Sequence, residues 1–366
     1  MKELKLVQDY EYREQVIEQI HNAQKKVLGS TRQLAVESAH GVAFHRGLGE
    51  PVHPTSSAPV TKYLSHDAIG AYSTLAYRKS NIAVVANGAE HSELTKWTNE
   101  YFSSIRSDSA PGIPPISTEQ TKYYGGEERI AHGSGNTMVL AFPGSSSLTG
   151  SFYKPEIAVL AALLGGKSTI KWSPGFSLLG KVAGNNPGVE ISTHSAIYSD
   201  AGLLYTELHG SATAVRGAAF EVVKAIKDLA NGTIDKEAFE KARALAKFQE
   251  LEYGQVPMAA LELTGAGLVA NGKPYQLDES AQKIGEVTIE KVQEVSLKYI
   301  VLTRHRTNQF TRLPRLFLSS RLPYHLLVIY GSYHTVRILV CRYRGRKGSD
   351  AVVHFQRLVS CFMCRD

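Results

Sequence analysis

The residues of this chain that could do chemistry fall into a few small groups. Gly165-Gly166-Lys167-Ser168-Thr169 has the ending of a phosphate-binding loop, in which backbone amides and a Lys cradle phosphate. That loop needs a glycine five positions before Gly166, where Ala161 stands, and it must follow a strand, whereas this run follows an apolar helical stretch. The phosphate reading therefore fails. Cys341, Cys361 and Cys364 with His354 could supply four zinc ligands, but they offer a single tight pair where structural zinc sites use two. His40, His45 and His53 bracket a glycine turn and read as loop histidines. Glu250 and Glu252 do not share a helix face, so they form no acid–base pair.

Charge is distributed unevenly. The formal net charge is +7, yet residues 1–300 hold 29 Lys and Arg against 32 Asp and Glu, while residues 301–366 hold 12 against 2. The basic residues of the tail are 11 Arg and 1 Lys, it has no Glu, and all 3 cysteines lie in it. Its aromatics among arginines (Phe317, Tyr324, Tyr330, Tyr343) invite a nucleic-acid reading, but no recognised module frames them. So abrupt a change predicts a different coding origin for residues 301–366 and a tail, non-native or disordered, that is missing from the protein made in cells. Within it, Leu326 to Tyr330 (LLVIY) is a short β-prone run that would promote aggregation if exposed. No apolar run reaches the roughly 18 residues of a membrane span. The first residues, MKELKLVQDYEYREQ, lack the features of a secretory or transit leader.

The elements that must position these residues are legible by period. Tyr12–Leu28 and Thr31–Ala43 have helical spacing. Ser65 is expected to cap a helix bearing Ile69, Tyr72, Leu75 and Ala76. Asn81 to Gly88 reads as a short buried strand, and Glu93–Ile105 as a helix with Leu94, Trp97, Tyr101 and Phe102 inward. This first part offers one strand for several helices, so it should leave an apolar helix face uncovered. Residues 108–134, rich in Pro, Ser and Gly, form the expected linker. Beyond it come a strand at Thr137–Phe142, a helix opened by Pro155 and closed at Gly165-Gly166, and a strand at Leu203–Leu208. A helix along Ala219, Val222, Val223, Ile226 and Leu229 stops at Gly232. Thr233 is expected to cap the next helix, with Phe239, Ala242, Leu245 and Ala246 buried, and Thr288 the last, Ile289–Tyr299.

Three segments carry a resemblance: HGVAFHRGLGEPVHPT (His40 to Thr55), Leu64 to Leu94, and LANGTIDKEAFEKARALAKFQELE (Leu229 to Glu252). In this order they resemble the pitrilysin-type (M16) zinc peptidases, and most closely a non-catalytic fungal branch of that family, the core proteins of the mitochondrial cytochrome bc1 complex. The resemblance implies an α+β fold of M16-like modules, each a mixed, largely antiparallel sheet with helices on one face. Residues 1–107 would be the C-terminal part of a first, incomplete module, 135–300 a second, and 301–366 a tail outside the pattern. Active members of the family hold zinc through H-x-x-E-H, two His four apart on one helix with a Glu that activates water. Of the 13 His here no two are closer than His40 and His45, five apart, so these residues contain no such motif. Glu11, Glu14 and Glu18 fall where the family's further ligand would lie and read as a solvated helix face. The resemblance thus implies a scaffold with no catalytic residue, metal or cofactor, at the matrix side of the mitochondrial inner membrane with its targeting presequence outside this chain. Core protein 1 and cytochrome b would be its partners, with no nucleic acid and no small-molecule substrate. It also equates the Gly-rich run with the loop by which processing peptidases handle presequences. Gly165, Gly166, Lys167, Lys171 and Trp172 are accordingly the candidate partner or peptide loop, against the plainer reading of a connector. The competing function is a zinc peptidase subunit of the mitochondrial processing type.

Overall fold

The computed structural model describes residues 10–52, 76–107, 120–166, 175–304 and 326–330, together with 70, 72 and 73. All of them belong to one compact unit, which ends at Tyr333. The opening helices are α1 (Tyr10–Gly29) and α2 (Thr31–Phe44), followed by α3 (His91–Phe102). Then come β1 (Glu127–Ile130), β2 (Asn136–Pro143), α4 (Pro155–Leu164), α5 (Leu178–Asn185), β3 (Val189–Ile197) and β4 (Gly202–Gly210). Five helices follow: α6 (Ala212–Ala230), α7 (Lys236–Gln255), α8 (Pro257–Asn271), α9 (Leu277–Gly285) and α10 (Ile289–Arg304). The last strand is β5 (Leu326–Tyr330).

The sheet runs β1-β5-β2-β4-β3. Strands β2, β4 and β3 are antiparallel neighbours, with Val139 opposite Glu207 and Ile191 opposite Leu208. Alternation along β2 sends its side chains to two cores. Met138, Leu140 and Phe142 join the larger core with Ile157, Leu160, Leu163, Val222 and Phe239. Val139 and Ala141 join a smaller one with Ala35, Ala39, Ala43 and Phe44 of α2. Period-two geometry requires this of a central strand covered on both faces. The mixed, largely antiparallel α+β architecture is as expected. The arrangement on one face is not complete, because α2, read from the sequence as part of 1–107, lies on the opposite face of the sheet of 135–300. Three small alanines at 35, 39 and 43 let it approach closely.

The helices of the larger core start where their caps dictate. Ser211 Oγ accepts from the Ala214 amide at 3.3 Å, and Val215, Ala218, Val222, Ile226 and Leu229 then line the buried stripe of α6. For α7 the cap is Asp235, which accepts from the Glu237 amide at 3.2 Å, two residues beyond the expected Thr233. The stronger anionic acceptor sits at the helix start, where the macrodipole favours it. Pro155 opens α4, as its missing N–H allows.

Two expectations fail in the first part of the chain. Residues 82–86, expected as a buried strand, form no strand among the described residues, and Val84 is 42% exposed. Helix α3 buries none of its residues, and Trp97 and Tyr101 stack on one another in the open, ring centroids 5.6 Å apart. The reason is the one anticipated for a helix-rich part short of strands: among the described residues nothing covers the apolar face of α3. The Ser65-capped helix lies almost wholly outside the described residues. The other departure is β5. The LLVIY run, expected to lie apart in the tail, sits inside the sheet between β1 and β2. Helix α10 likewise continues past Ile300 to Arg304.

Candidate partner-contact site

The glycine-rich run leaves the fold at the C-terminus of α4. Gly165 has φ +58° and its amide donates to the Ala161 carbonyl at 2.8 Å, closing the helix. A Cβ on Gly165 would stand 2.4 Å from the Ser177 Cβ, and one on Gly166 would stand 2.3 Å from the Ile191 carbonyl oxygen of β3. Both glycines are therefore demanded by close backbone approach. Ser177, which caps α5 by accepting from the Gly180 amide at 3.2 Å, also donates to the Gly166 carbonyl at 3.4 Å. The two ends of the run are thus pinned together against β3, the strand at the sheet's end. Lys167, Lys171 and Trp172 lie outside the described residues, so the structure places the glycine pair of this candidate and not its cationic or aromatic members.

On the face covered by α2, β3 and β4 carry a polar network that sequence reading missed. Arg32, in the first turn of α2, donates through Nε to Glu207 Oε1 of β4 at 2.5 Å and through Nη1 to Glu190 Oε2 of β3 at 3.2 Å. Partial burial works against the guanidinium charge, but the two carboxylates outweigh it and hold the Arg32 pKa above its ordinary value. Next along α2, His40 Nδ1 donates to the Val36 carbonyl at 2.7 Å, which leaves Nε2 to accept from the Tyr198 hydroxyl at 2.8 Å. The His194 ring lies 5.3 Å from that of Tyr205. Among the described residues no cluster of His, Cys, Asp and Glu has the makings of a metal site. Glu14 and Glu18 are exposed on α1, as read from the sequence. Of the histidines read as loop residues, His40 lies inside helix α2, where its ring bonds back to the Val36 carbonyl, while His45 ends the helix with φ +62° and packs against Tyr124. His53 and the cysteines lie outside the described residues.

Burial, with a smaller contribution from Glu207, pushes the Tyr205 hydroxyl up to about 12, and burial likewise raises Tyr153 to about 12. The unfolded chain would release these protons first, near 10, while the folded one holds them. Stability contributed by the neutral phenols is therefore present below pH 10 and is lost as pH rises toward about 12. Burial raises Tyr198 as well, so tyrosinate absorbance should show Tyr153, Tyr198 and Tyr205 titrating late, and Tyr205→Phe together with Tyr153→Phe should flatten the alkaline loss of stability.

A cavity of about 440 Å³ lies between α3 and residues 79–84, with Ile82, Val84, Leu94, Thr98, Phe102 and Ile105 in its lining. Lys79, His91, Thr95, Asn99 and Ser103 complete its lining, so an apolar floor is rimmed by polar side chains.

Comparison with known proteins places this geometry. A family profile described as the peptidase M16 inactive domain matches residues 63–245. Cytochrome b-c1 complex subunit 2 of Neurospora crassa is 43% identical over 291 residues, covering 80% of this chain and 62% of that protein. The subunit of the same name from Schizosaccharomyces pombe is 31% identical, covering 71% and 58%. Mitochondrial-processing peptidase subunit alpha-2 of Dictyostelium discoideum is 30% identical, covering 72% and 58%. Among solved structures, a chain of complex III2 from Candida albicans with Inz-5 bound superposes with a TM-score of 0.60 at 16% identity, over 80% of this chain and 69% of that one, a likeness of fold. The chain thus spans about three fifths of the length of these curated relatives.

Proposed function

This chain belongs to the peptidase M16 family through its inactive domain, and on that premise we propose that it is a non-catalytic core subunit of the mitochondrial cytochrome bc1 complex, of the subunit 2 type. It would support assembly and electron transfer from ubiquinol to cytochrome c without carrying a redox centre. The proposed place is the matrix side of the inner membrane, against core protein 1 and cytochrome b. The observation that carries this reading is the 43% identity to the Neurospora crassa subunit across 80% of the chain. It is supported by the match of residues 63–245 to a family profile described as the peptidase M16 inactive domain. Among the described residues no helix is long and apolar enough to cross a membrane, consistent with a peripheral attachment.

Within that role the loop of Gly165, Gly166, Lys167, Lys171 and Trp172 is proposed as a partner contact. Gly166 is seated against β3 and held to Ser177 at the other end of the run, and the sequence between supplies Trp172, a residue type that interfaces use as an anchor, with Lys167 and Lys171 as charges for an acidic partner. The experiment is to express the chain in a Neurospora crassa strain lacking its own subunit 2 and to follow complex III by native electrophoresis. The chain is expected to migrate with complex III, and Lys167→Glu with Lys171→Glu to lower the assembled fraction several-fold. The melting temperature of the variant should stay within about 2 °C, since surface substitutions shift stability little. A chain that stays apart from complex III would overturn the scaffold reading. A chain that assembles equally well with the two charge reversals would overturn the loop's role alone.

The likeness to the Dictyostelium alpha-2 subunit supports one alternative, membership of a mitochondrial processing peptidase. Chelator-sensitive cleavage of a presequence peptide, dependent on added chain, would favour it.

A further inference from the structure

Strand β5 occupies an unusual place for a segment that arrives late in the chain. It is parallel to β2, with Met138 opposite Leu327 and Ala141 opposite Tyr330, and antiparallel to β1, with Glu127 opposite Ile329 and Ile130 opposite Leu326. Among the described residues it is β1's only partner in the sheet order. With β5 removed, β1 would have no ladder there and β2 would expose one edge, a row of unpaired amides and carbonyls that is a template for another strand. Helix α2 lies across the same position, so the slot has two strand walls and a helical cover.

Chain connection does not force β5 into this slot. Residues 305–325 separate it from α10, a length that spans up to roughly 70 Å when extended, and the entropic cost of such a loop grows only slowly with length. What qualifies the segment is its chemistry. Leu326-Leu327-Val328-Ile329-Tyr330 contains no charge, Pro or Gly and is rich in residues that favour strands, the composition a strand flanked on both sides requires. In such pairing the main chain supplies the affinity and the neighbouring strands fix the register, as in recognition by strand addition.

We propose that the slot between β1 and β2 is a binding site for an extended apolar peptide strand. Leu326–Tyr330 of the same chain is its resident occupant, and the slot accepts an equivalent strand supplied in trans. The site selects strand character and apolarity over five residues, and β1 docks only when the slot is filled.

Hydrogen exchange on the full chain tests this. In the unaltered protein the amides of Leu327–Ile329 and of β1 should be protected. Leu327→Pro with Val328→Pro removes one adjacent donor toward each neighbouring strand. In that variant the exchange of Glu127–Ile130 should rise by about tenfold or more, a local opening, while β3 and β4 keep their protection. Adding a synthetic Leu326–Tyr330 peptide with lysine ends should restore protection at Glu127–Ile130, and the same peptide with Val328→Pro should not. Should the double variant fail to keep β3–β4 protection, Val328→Gly, which retains the amide, should produce the same change at β1 to a smaller degree. Unprotected Leu327–Ile329 in the unaltered chain would overturn the proposal. So would β1 protection indifferent to the substitutions, or a peptide that leaves β1 exchanging freely.

Discussion

Phe239→Ala is expected to destabilise the fold by about 3–5 kcal/mol, while Trp97→Ala should cost less than about 1 kcal/mol, although both positions are aromatic and both lie on amphipathic helices. Phe239 is 1% exposed and belongs to the larger core with Leu160, Leu163 and Ala242. The guanidinium of Arg243 lies 5.5 Å from its ring centroid and donates to the Val287 carbonyl at 3.2 Å, which ties α7 to the start of α10 across that ring. Truncation would open a cavity that surrounding helices, held by their own caps, close only in part. Trp97 is 49% exposed and loses little beyond its stack on Tyr101. Urea unfolding of the two variants, monitored by circular dichroism, measures the contrast. A large loss at Trp97 would mean that α3 is covered after all, and a small one at Phe239 would contradict the core described above.

That contrast also marks what the sequence made legible. Helices α6 and α7 were readable because their apolar residues recur at helical spacing and Gly232 marks the break between them. Strand β2 was readable as a β-run after a glycine turn, and α4 from Pro155 and the glycine pair. Strand β3, VEISTHSAI, escaped notice because it lies at the end of the sheet and interposes Ser, Thr and His, residues that read equally as loop. Helix α8 escaped because PMAALELTGAGLVAN has Gly265 and Gly267 and no consistent polar face, leaving no period to detect. The inward assignment of Trp97 and Tyr101 rested on helical spacing, which reports that a face is apolar and not that anything covers it. For LLVIY the ambiguity is of the same kind. A short uncharged run with high strand propensity is an aggregation hazard when exposed and a suitable central strand when paired on both sides, and only the rest of the sheet distinguishes them. Of the candidate site, the glycine pair was legible, but its reason was not. The close approach of Gly166 to Ile191 depends on where the chain returns, 25 residues later in sequence.

The ion-pair network was wholly invisible, since Arg32 and Glu207 are 175 residues apart, and it carries the second large effect. Arg32→Met is expected to cost about 1–3 kcal/mol, because it strips the cation from Glu207, whose side chain is only 6% exposed, and leaves a buried carboxylate without its charged partner. The same substitution should matter less through Glu190, which is 40% exposed and remains solvated when unpaired. Glu207→Gln should be milder than Arg32→Met, since the amide oxygen still accepts from the guanidinium and Arg32 keeps Glu190. The decisive quantity is the coupling. If Arg32 chiefly neutralises Glu207, the double variant Arg32→Met with Glu207→Gln should recover stability relative to Arg32→Met alone, with a non-additive energy on the order of 1 kcal/mol. Chemical denaturation of the four proteins closes this cycle. Strict additivity would mean that α2 is held to the sheet by its alanine face, Phe44 and the His40–Tyr198 hydrogen bond, and that the Arg32 bridge from α2 to β3 and β4 contributes geometry without stability.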